Sequence, residues 1–254
     1  MIPNPWDMGS AIILESLGFK ALASTSAGLA WSQARPDYDL TRDRVLAHLS
    51  ELAAVTELPV NADFENGFAV EPDAVAANVL MAAETGIAGI SIEDSSWAKD
   101  DPLYDFDLSV ARIAAARAAI DRSGTKLFLT ARSEGFFAGK PDMDETLARL
   151  KAYAAAGADC LYAPGLREET QIARVIEAVA PKPVNVLTFG LSRDTLARLG
   201  VRRISVGGAL ARSAYSELYR IGAAMAQDGD FSALAPQTSD VPRLNDLFAR
   251  PEGT

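Results

Sequence analysis

The 254-residue chain contains one histidine and one cysteine, and this scarcity excludes several kinds of catalytic site. A Ser-His-Asp or Cys-His mechanism requires a histidine base, but His48 lies in a predicted helix, where we interpret it as a boundary residue. Zinc sites built from histidine and cysteine are excluded for the same reason. Cys160 falls inside a predicted strand, so we interpret it as a small buried core residue.

The chain also lacks long apolar runs and a surplus of basic residues. No apolar run approaches the roughly 20 residues that a membrane-spanning helix needs. The first residues lack the basic and apolar blocks of a signal peptide. The formal net charge of −10 argues against nucleic acid, whose phosphates require a basic surface. We therefore expect a cytoplasmic protein that has neither a membrane nor a nucleic acid as its partner.

One local pattern recurs along the chain: an alanine-rich helical segment, a glycine, and then a short apolar strand. The glycines of this pattern are Gly18, Gly86, Gly157 and Gly200, each at a predicted helix C-terminus. Strands that alternate with helices indicate right-handed crossovers and a parallel sheet. The fold class predicted is α/β, a (β/α)8 TIM-type barrel. A doubly wound open sheet is the alternative, but no Gly-x-Gly-x-x-Gly motif follows the first strand.

The pattern predicts eight strands, near residues 1–4, 20–24, 59–63, 89–93, 126–131, 159–163, 183–187 and 203–206. Helices are predicted near 8–17, 41–56, 72–85, 107–122, 142–156, 168–179, 192–199 and 208–227. The long loops follow strands, and in such barrels these loops carry the chemistry. We expect residues 1–227 to form the barrel and 228–254 to form a tail that packs on the barrel or on a neighbouring subunit.

Acidic side chains stand at the ends of two predicted strands, at Asp63, Glu65 and Glu93. Side chains alternate along a strand, so Asp63 and Glu65 share one side. Carboxylate oxygens are the ligands that Mg²⁺ or Mn²⁺ prefers, and the three residues are therefore candidate metal ligands. The alternative is that they are solvated strand ends.

A second set of residues could bind an anionic substrate: an arginine at a strand end, and two short segments of small residues. Arg132 ends a predicted strand, and its guanidinium could hold a substrate carboxylate with two parallel hydrogen bonds. The alternative is a salt bridge from Arg132 to Glu134 or Glu93. In the first case, Arg132→Ala should weaken substrate binding with only a modest effect on stability. Residues 24–28 and 206–208 are small enough for backbone N–H groups to approach an anion or phosphate, although glycines at 207 and 208 could instead allow close packing.

Together these residues resemble the isocitrate lyase/phosphoenolpyruvate mutase superfamily, from about residue 3 to residue 214. The matching motifs are Asn4-Pro-Trp-Asp7-Met-Gly-Ser10, Ser24-Thr-Ser-Ala-Gly28, Pro36-Asp37, Asp63-Phe-Glu65-Asn-Gly67, Ile92-Glu93-Asp94, Ala131-Arg132-Ser-Glu134 and Asn185-Val-Leu. The resemblance implies a barrel with one terminal helix exchanged between subunits, in a homotetramer or homodimer. It also implies a Mg²⁺-bound 2-oxo or 2-hydroxy acid, cleaved at a C–C or P–C bond through an enolpyruvate-like oxyanion.

The resemblance assigns roles to individual residues. Asp63 resembles the direct metal ligand, and Glu65 and Glu93 act directly or through water. The residues similar to those that contact substrate are Thr25, Ser26, Ala27, Arg132 and Asn185. Arg132 resembles the carboxylate clamp, and Asp37 matches an active-site aspartate. By position, Asp37 and Tyr104 are candidates for acid/base catalysis.

Departures from the family pattern narrow the reaction. The isocitrate and methylisocitrate lyases carry a Lys-Lys/Arg-Cys-Gly-His segment after the Glu-Asp pair, whereas residues 95–104 here contain neither cysteine nor histidine. A lid asparagine of the mutases and phosphonopyruvate hydrolases is also missing. The leading hypothesis is a Mg²⁺-dependent carbon–carbon lyase or decarboxylase for a small di- or tricarboxylic acid. The alternatives are a P–C bond enzyme, a phosphate-binding barrel enzyme and a non-catalytic oxo-acid-binding paralogue.

Overall fold

The computed structural model of the protein describes residues 1–188, 190–234 and 244–249. Its sheet has seven parallel strands in chain order: β1 Leu22–Ala23, β2 Val60–Asp63, β3 Gly89–Glu93, β4 Phe128–Arg132, β5 Cys160–Tyr162, β6 Val184–Leu187 and β7 Arg203–Ser205. The helices are α1 Met8–Ser16, α2 Ser26–Ser32, α3 Arg42–Val55, α4 Pro72–Ala83, α5 Phe106–Ser123, α6 Met143–Ala155, α7 Glu169–Val179, α8 Arg193–Leu199, α9 Ala209–Asp228 and α10 Leu244–Phe248, with a 3₁₀ turn at Ser232–Leu234. Strands and helices alternate around a nearly closed barrel, which confirms the predicted TIM-type fold.

The predicted first strand, residues 1–4, is not a regular strand, but it closes the ring. The backbone N–H of Ile2 donates to the carbonyl of Ile204 over 2.8 Å, and the N–H of Ala23 donates to the carbonyl of Pro3 over 3.0 Å. Prolines at positions 3 and 5 have no N–H, so a continuous hydrogen-bond ladder cannot form there. The extended segment therefore bridges β7 and β1 with single hydrogen bonds.

The β3 strand is buried on both faces, and the two faces differ in chemistry. On β3, Ile90 and Ile92 are fully buried on the side of the helices. Ser91, between them, lines the barrel interior. This alternation explains why a strand that reads as continuously apolar can still present polar atoms at one end of the barrel.

Two sequence-based interpretations need correction. The long loop expected after the first predicted helix-strand unit contains a helix, α2, whose start is capped by the Thr25 hydroxyl accepting from the N–H of Gly28 over 3.2 Å. His48 is buried, with 5% of its surface exposed, rather than at the boundary. Burial lowers the pKa of His48 because it disfavours the charged imidazolium. Cys160 is a buried core residue, as predicted.

Only part of the predicted tail lies in the described residues. The α10 helix lies beside α1, where the ring of Phe248 packs close to Gly9. Residues 235–243 and 250–254 of the predicted tail lie outside the described residues, so the division into barrel and tail stays a prediction. Within the described ranges, no helix is both long and apolar enough to cross a bilayer.

Candidate active site

A cavity of about 260 Å³ opens at the C-terminal ends of the strands. It is where parallel barrels carry their functional residues, because every strand of the barrel points its carboxyl end to this side. The predicted site residues that line it are Thr25, Ser26, Ala27, Asp37, Asp63, Arg132 and Asn185. Three others, Glu65, Glu93 and Tyr104, do not line it. The structure thus brings together most of the residues chosen from the sequence.

Asp63, at the end of β2, is fixed by hydrogen bonds to its side chain and to its backbone. Its Oδ2 accepts from the backbone N–H and from the hydroxyl of Ser26, each over 3.0 Å. Its own N–H donates to the hydroxyl of Ser24 over 2.8 Å. These contacts join the end of β2 to the start of α2, and they fix the Asp63 carboxylate at the cavity wall.

Arg132 contacts three carboxylates at the end of β4. Its Nη1 lies 2.7 Å from Asp63 Oδ1, its Nη2 lies 3.0 Å from Glu93 Oε2, and its Nε lies 2.9 Å from Glu134 Oε1. Three buried or nearly buried anions around one guanidinium raise the pKa of Arg132 further above its usual range. Both salt bridges named as alternatives for Arg132 are therefore present, with Asp63 as a third partner.

Glu65 is buried beside this cluster with a free oxygen. Its backbone has a φ of +49°, a left-handed conformation that turns the chain sharply after β2. The side chain is 1% exposed, and its Oε2 has no hydrogen-bond partner among the residues that the structure describes. Burial, with the nearby Asp63 and Asp37 carboxylates, raises the pKa of Glu65 to about 8. The Glu65 carboxyl is therefore protonated at neutral pH unless a cation balances it.

Asp37 comes to the cavity from the loop between α2 and α3. Its Oδ1 accepts from the backbone N–H of Tyr38 over 3.1 Å. Burial and the Asp63 carboxylate raise the pKa of Asp37 to about 6, while this hydrogen bond acts in the opposite direction. A carboxyl with such a pKa can give or take a proton near neutral pH.

Two aromatic residues that the sequence analysis did not select cover the acidic cluster. The indole Nε1 of Trp97 donates to Glu93 Oε1 over 3.0 Å, and the Trp97 ring lies 5.0 Å from that of Tyr38 between centroids. Both residues have left-handed φ values, +58° and +65°. Glu93 is thus sealed between Arg132 and Trp97, which explains its absence from the cavity wall. The position of Trp97 four residues after Glu93, on a long loop that follows a strand, is the signal that could have found it.

Tyr104 lies away from the cavity. Its hydroxyl accepts from Asn66 Nδ2 over 3.2 Å, and its ring lies 4.2 Å from the guanidinium carbon of Arg112. Arg112 in turn donates to the backbone carbonyls of residues 66, 69 and 70. Tyr104 therefore takes part in holding the loop after β2, and it is not among the described residues that line the cavity.

The far wall of the cavity contains an arginine that the sequence analysis missed. Asn185 Oδ1 accepts from Arg203 Nε over 3.1 Å, and Asn185 Nδ2 donates to Ser205 Oγ over 3.0 Å. Arg203 and Ser205 are two residues apart on β7, so both point into the barrel. This alternation was visible in the sequence, but only the ends of the strands were considered there.

Comparison with known proteins places this geometry in a family. The phosphoenolpyruvate phosphomutase family profile matches residues 1–226. The chain belongs to the phosphoenolpyruvate phosphomutase family. The resemblance to the isocitrate lyase/phosphoenolpyruvate mutase superfamily is thereby confirmed.

Three similar proteins show the range of this family. A crystal structure described as a lyase or mutase of Burkholderia cenocepacia J2315 matches with a TM-score of 0.92 and 49% identity, covering 98% of this chain and 90% of that one. An uncharacterized protein of Mycobacterium tuberculosis is 35% identical over 210 residues, 82% of this chain and 77% of that one. A Corynebacterium glutamicum protein described as 2-methylisocitrate lyase 2 is 32% identical over 197 residues, 74% of this chain and 62% of that one. The chain thus belongs to an enzyme superfamily of the carbon–carbon lyase type.

The acidic residues fit the divalent ion that membership in the phosphomutase family implies, but not as a closed set of protein ligands. Within the described part of the chain, no group of three or more acidic, histidine or cysteine side chains is arranged to hold one metal ion. The unpartnered Oε2 of Glu65 and the raised pKa values of Glu65 and Asp37 nevertheless mark two carboxyls of the described structure whose ionised forms a cation would stabilise. Mg²⁺ is typically bound by one or two carboxylates, with waters and substrate completing its shell. The donor set therefore fits a Mg²⁺ ion that takes most of its ligands from water and substrate.

Gly207 and Gly208, which follow the last strand, β7, allow close packing. The backbone N–H groups of Val206 and Gly207 donate to Asn4 Oδ1 over 2.9 and 3.0 Å. At Gly208, a Cβ atom would lie 3.1 Å from the ring of Trp31. Two of the three N–H groups expected to hold a phosphate are thus already bonded within the protein, and the packing alternative is the better interpretation.

Proposed function

We propose that this chain is a Mg²⁺-dependent carbon–carbon lyase or decarboxylase that acts on a small 2-oxo or 2-hydroxy di- or tricarboxylic acid. The observation that carries the proposal is the convergence of Asp63, Ser26 and Arg132 on one wall of the cavity, next to buried carboxyls that lack a balancing cation. A cavity of about 260 Å³ suits a substrate of this size. The similarity to a 2-methylisocitrate lyase supports the C–C bond as the one broken.

Asp63 would hold the metal directly in this proposal, and Glu65 and Glu93 would act mainly through water. When bound, Mg²⁺ would supply electrostatic stabilisation of the enolate oxygen that forms beside the carboxylate. The bound cation would also keep Glu65 ionised, because a nearby positive charge lowers the pKa of a buried carboxyl. Arg132 would then share its carboxylate partners with the metal, and its guanidinium would become available to a substrate acid group.

The chain's own residues would bind and orient the acid before any bond breaks. Thr25, Ser26 and Ala27 line the cavity at the start of α2, and the N–H of Ser26 already donates to Asp63 there. Asn185 would contact the distal part of the substrate. Asp37, whose pKa is raised to about 6, would exchange the proton with the enolate carbon or with the hydroxyl of a 2-hydroxy acid.

A P–C bond enzyme is the second candidate, because the matching family profile is that of a phosphomutase. The missing lid asparagine speaks against it. The bonding of Val206 and Gly207 to Asn4 speaks against the other phosphate alternative, a phosphate-binding barrel enzyme, because those N–H groups are already bonded within the protein. A binding protein without catalysis would keep the acid site but give no product.

The test is turnover on a panel of acids with and without Mg²⁺. The purified protein is incubated with oxaloacetate, methylisocitrate, dimethylmalate and phosphonopyruvate, and pyruvate and the partner product are measured. We expect turnover of at least one C–C substrate that is lost in excess chelator and restored by Mg²⁺. Asp37→Asn is the variant expected to lose turnover while it keeps binding, and Asp39→Asn, on the exposed part of the same loop, is its control.

Full activity in excess chelator would contradict the metal role. Turnover of phosphonopyruvate alone would select the P–C alternative. Ligand-induced melting shifts without turnover of any acid would select the binding protein.

A further inference from the structure

Arg203 is a second arginine of the same cavity, and its surroundings differ from those of Arg132. Its side chain extends from β7 across the barrel interior and contacts three other strands. Nε donates to Asn185 Oδ1 over 3.1 Å, Nη1 to Asn61 Oδ1 over 3.2 Å and Nη2 to Thr130 Oγ1 over 2.6 Å. The guanidinium carbon lies 5.7 Å from the ring centre of Phe128. Arg203 therefore lies deep in the far wall of the cavity. It also borders a smaller space at the opposite end of the barrel.

All three partners of the Arg203 guanidinium are neutral. Amide and hydroxyl oxygens satisfy individual N–H groups, but they do not balance a positive charge. Arg203 is partly buried, and in the described part of the chain it forms no ion pair. A half-buried cation without a counterion favours the approach of an anion into the cavity.

Arg203 also determines which atoms Asn185 presents. A guanidinium has only donors, so the amide oxygen of Asn185 must face Arg203 and its NH₂ group must face away. One N–H of that group donates to Ser205 Oγ over 3.0 Å. The second N–H is left as a donor at the cavity wall, suited to a carboxylate oxygen and not to a hydroxyl proton.

The depth of Arg203 in the barrel separates it from Arg132 by one layer of side chains. Its Nη2 contacts Thr130, which is two residues before Arg132 on β4 and points to the same face. Residues two apart on a strand are separated by roughly 7 Å. This spacing fits one acid group near Arg132 and Ser26 and a second acid group near Asn185 and Arg203.

We propose that Arg203, acting with Asn185, recognises the second carboxylate of the substrate and makes the cavity selective for dicarboxylic acids over monocarboxylic acids. This inference rests on the proposed function and names a residue that determines specificity at the same site. The first carboxylate and the oxo or hydroxyl oxygen stay on the side of Asp63 and Arg132. The role of Arg203 is specificity, and no proton transfer is assigned to it.

The experiment compares two acids that differ only at the far end, malate and 2-hydroxybutanoate, in which a methyl group replaces the second carboxylate. Affinities are measured by calorimetry with Mg²⁺ for the wild type and for Arg203→Met, Arg203→Lys and Arg202→Met. Arg202 is the exposed neighbour on the chain and serves as the matched control. We expect the wild type and Arg202→Met to prefer malate by about tenfold or more, the value of a hydrogen-bonded charge.

Arg203→Met should lose that preference by weakening malate binding alone, and Arg203→Lys should keep part of it. Unchanged binding of 2-hydroxybutanoate shows in the same titration that the variant is folded. Equal binding of both acids by the wild type, or an equal loss of both in Arg203→Met, would overturn the inference and leave the proposed function intact. Binding of neither acid by the wild type would also overturn the inference, whereas the proposed function is decided separately by turnover of the acid panel.

Discussion

Two arginines point into the same barrel, one layer of side chains apart, and their partners are opposite in kind. Arg132 is surrounded by the carboxylates of Asp63, Glu93 and Glu134. Among the described residues, the guanidinium of Arg203 donates hydrogen bonds to two amides and a hydroxyl. At Arg132 negative charge is in excess, which suits an added cation. At Arg203 positive charge is in excess, which suits an added anion, so the two ends of one cavity are complementary to a metal and to an acid.

The two arginines should also differ in how much each stabilises the fold. Removing Arg132 would leave buried carboxylates without a counterion, whereas removing Arg203 would leave neutral acceptors. An unpaired buried charge is more costly than an unpaired neutral acceptor. The same substitution at the two positions should therefore have different effects on folding.

The largest expected effect is that of Arg132→Met. We expect a loss of about 3–5 kcal/mol in the free energy of unfolding, because Glu93 and Glu134 lose their shared partner. This differs from the sequence-based expectation of a modest effect on stability. Urea denaturation measures it, with Arg35→Met, which breaks an exposed pair to Asp39, as a control expected to cost about 1 kcal/mol or less. A loss for Arg132→Met no greater than for the control would break the comparison.

Arg203→Met should have a smaller effect, about 1–3 kcal/mol. The substitution leaves the oxygens of Asn61, Thr130 and Asn185 without their donor, but it also removes a cation from the interior. The same urea series measures it. If Arg203→Met proves more destabilising than Arg132→Met, the contrast between the two sites is wrong.

Trp97→Phe tests how much the indole hydrogen bond to Glu93 stabilises the acidic cluster around Arg132. Glu93 loses the indole donor on Oε1 and keeps its ion pair to Arg132, so we expect a loss of about 1 kcal/mol. Tyr38→Phe keeps the ring beside Trp97 and is the matched control, with little change expected. Equal losses in both variants would indicate that ring packing, not the hydrogen bond, holds the cover in place.

The last prediction concerns the pH dependence of stability. The pKa of Glu65 in the folded protein is raised to about 8, above the usual 4.5, so its protonated form stabilises the fold at low pH. That contribution is fully present below about pH 4.5 and is lost as pH rises through 8. In chelator, the melting temperature of the wild type should therefore fall over this range, and Glu65→Gln should reduce the fall. An identical fall in Glu65→Gln would show that Glu65 does not titrate in this range.

The strand ends could be chosen from the sequence because all parallel strands in a barrel point the same way. Asp63 and Arg132 each follow an apolar run directly, so their meeting at one rim followed from topology alone. Tyr104 was chosen by its place on a loop, and loop residues have no such constraint. Asn4 was noted in the sequence only as part of a motif, and its structural role was not predicted. Its hydrogen bonds to residues 206 and 207 join the two ends of the barrel, and contacts between residues so far apart in sequence cannot be read from a local pattern.

The amino-acid sequence by itself determined the alternating architecture, the rim on which the acids and Arg132 stand, and the chemistries that a single histidine and a single cysteine exclude. These conclusions depend on periodicity and composition, which are local properties of the chain. Only the tertiary structure decided that Arg132 is held by three carboxylates. It alone decided that, among the described residues, Glu65 Oε2 has no hydrogen-bond partner and Arg203 donates to neutral groups. Charge balance in a barrel interior depends on side chains from strands far apart in sequence, and their distances exist only once the barrel has closed.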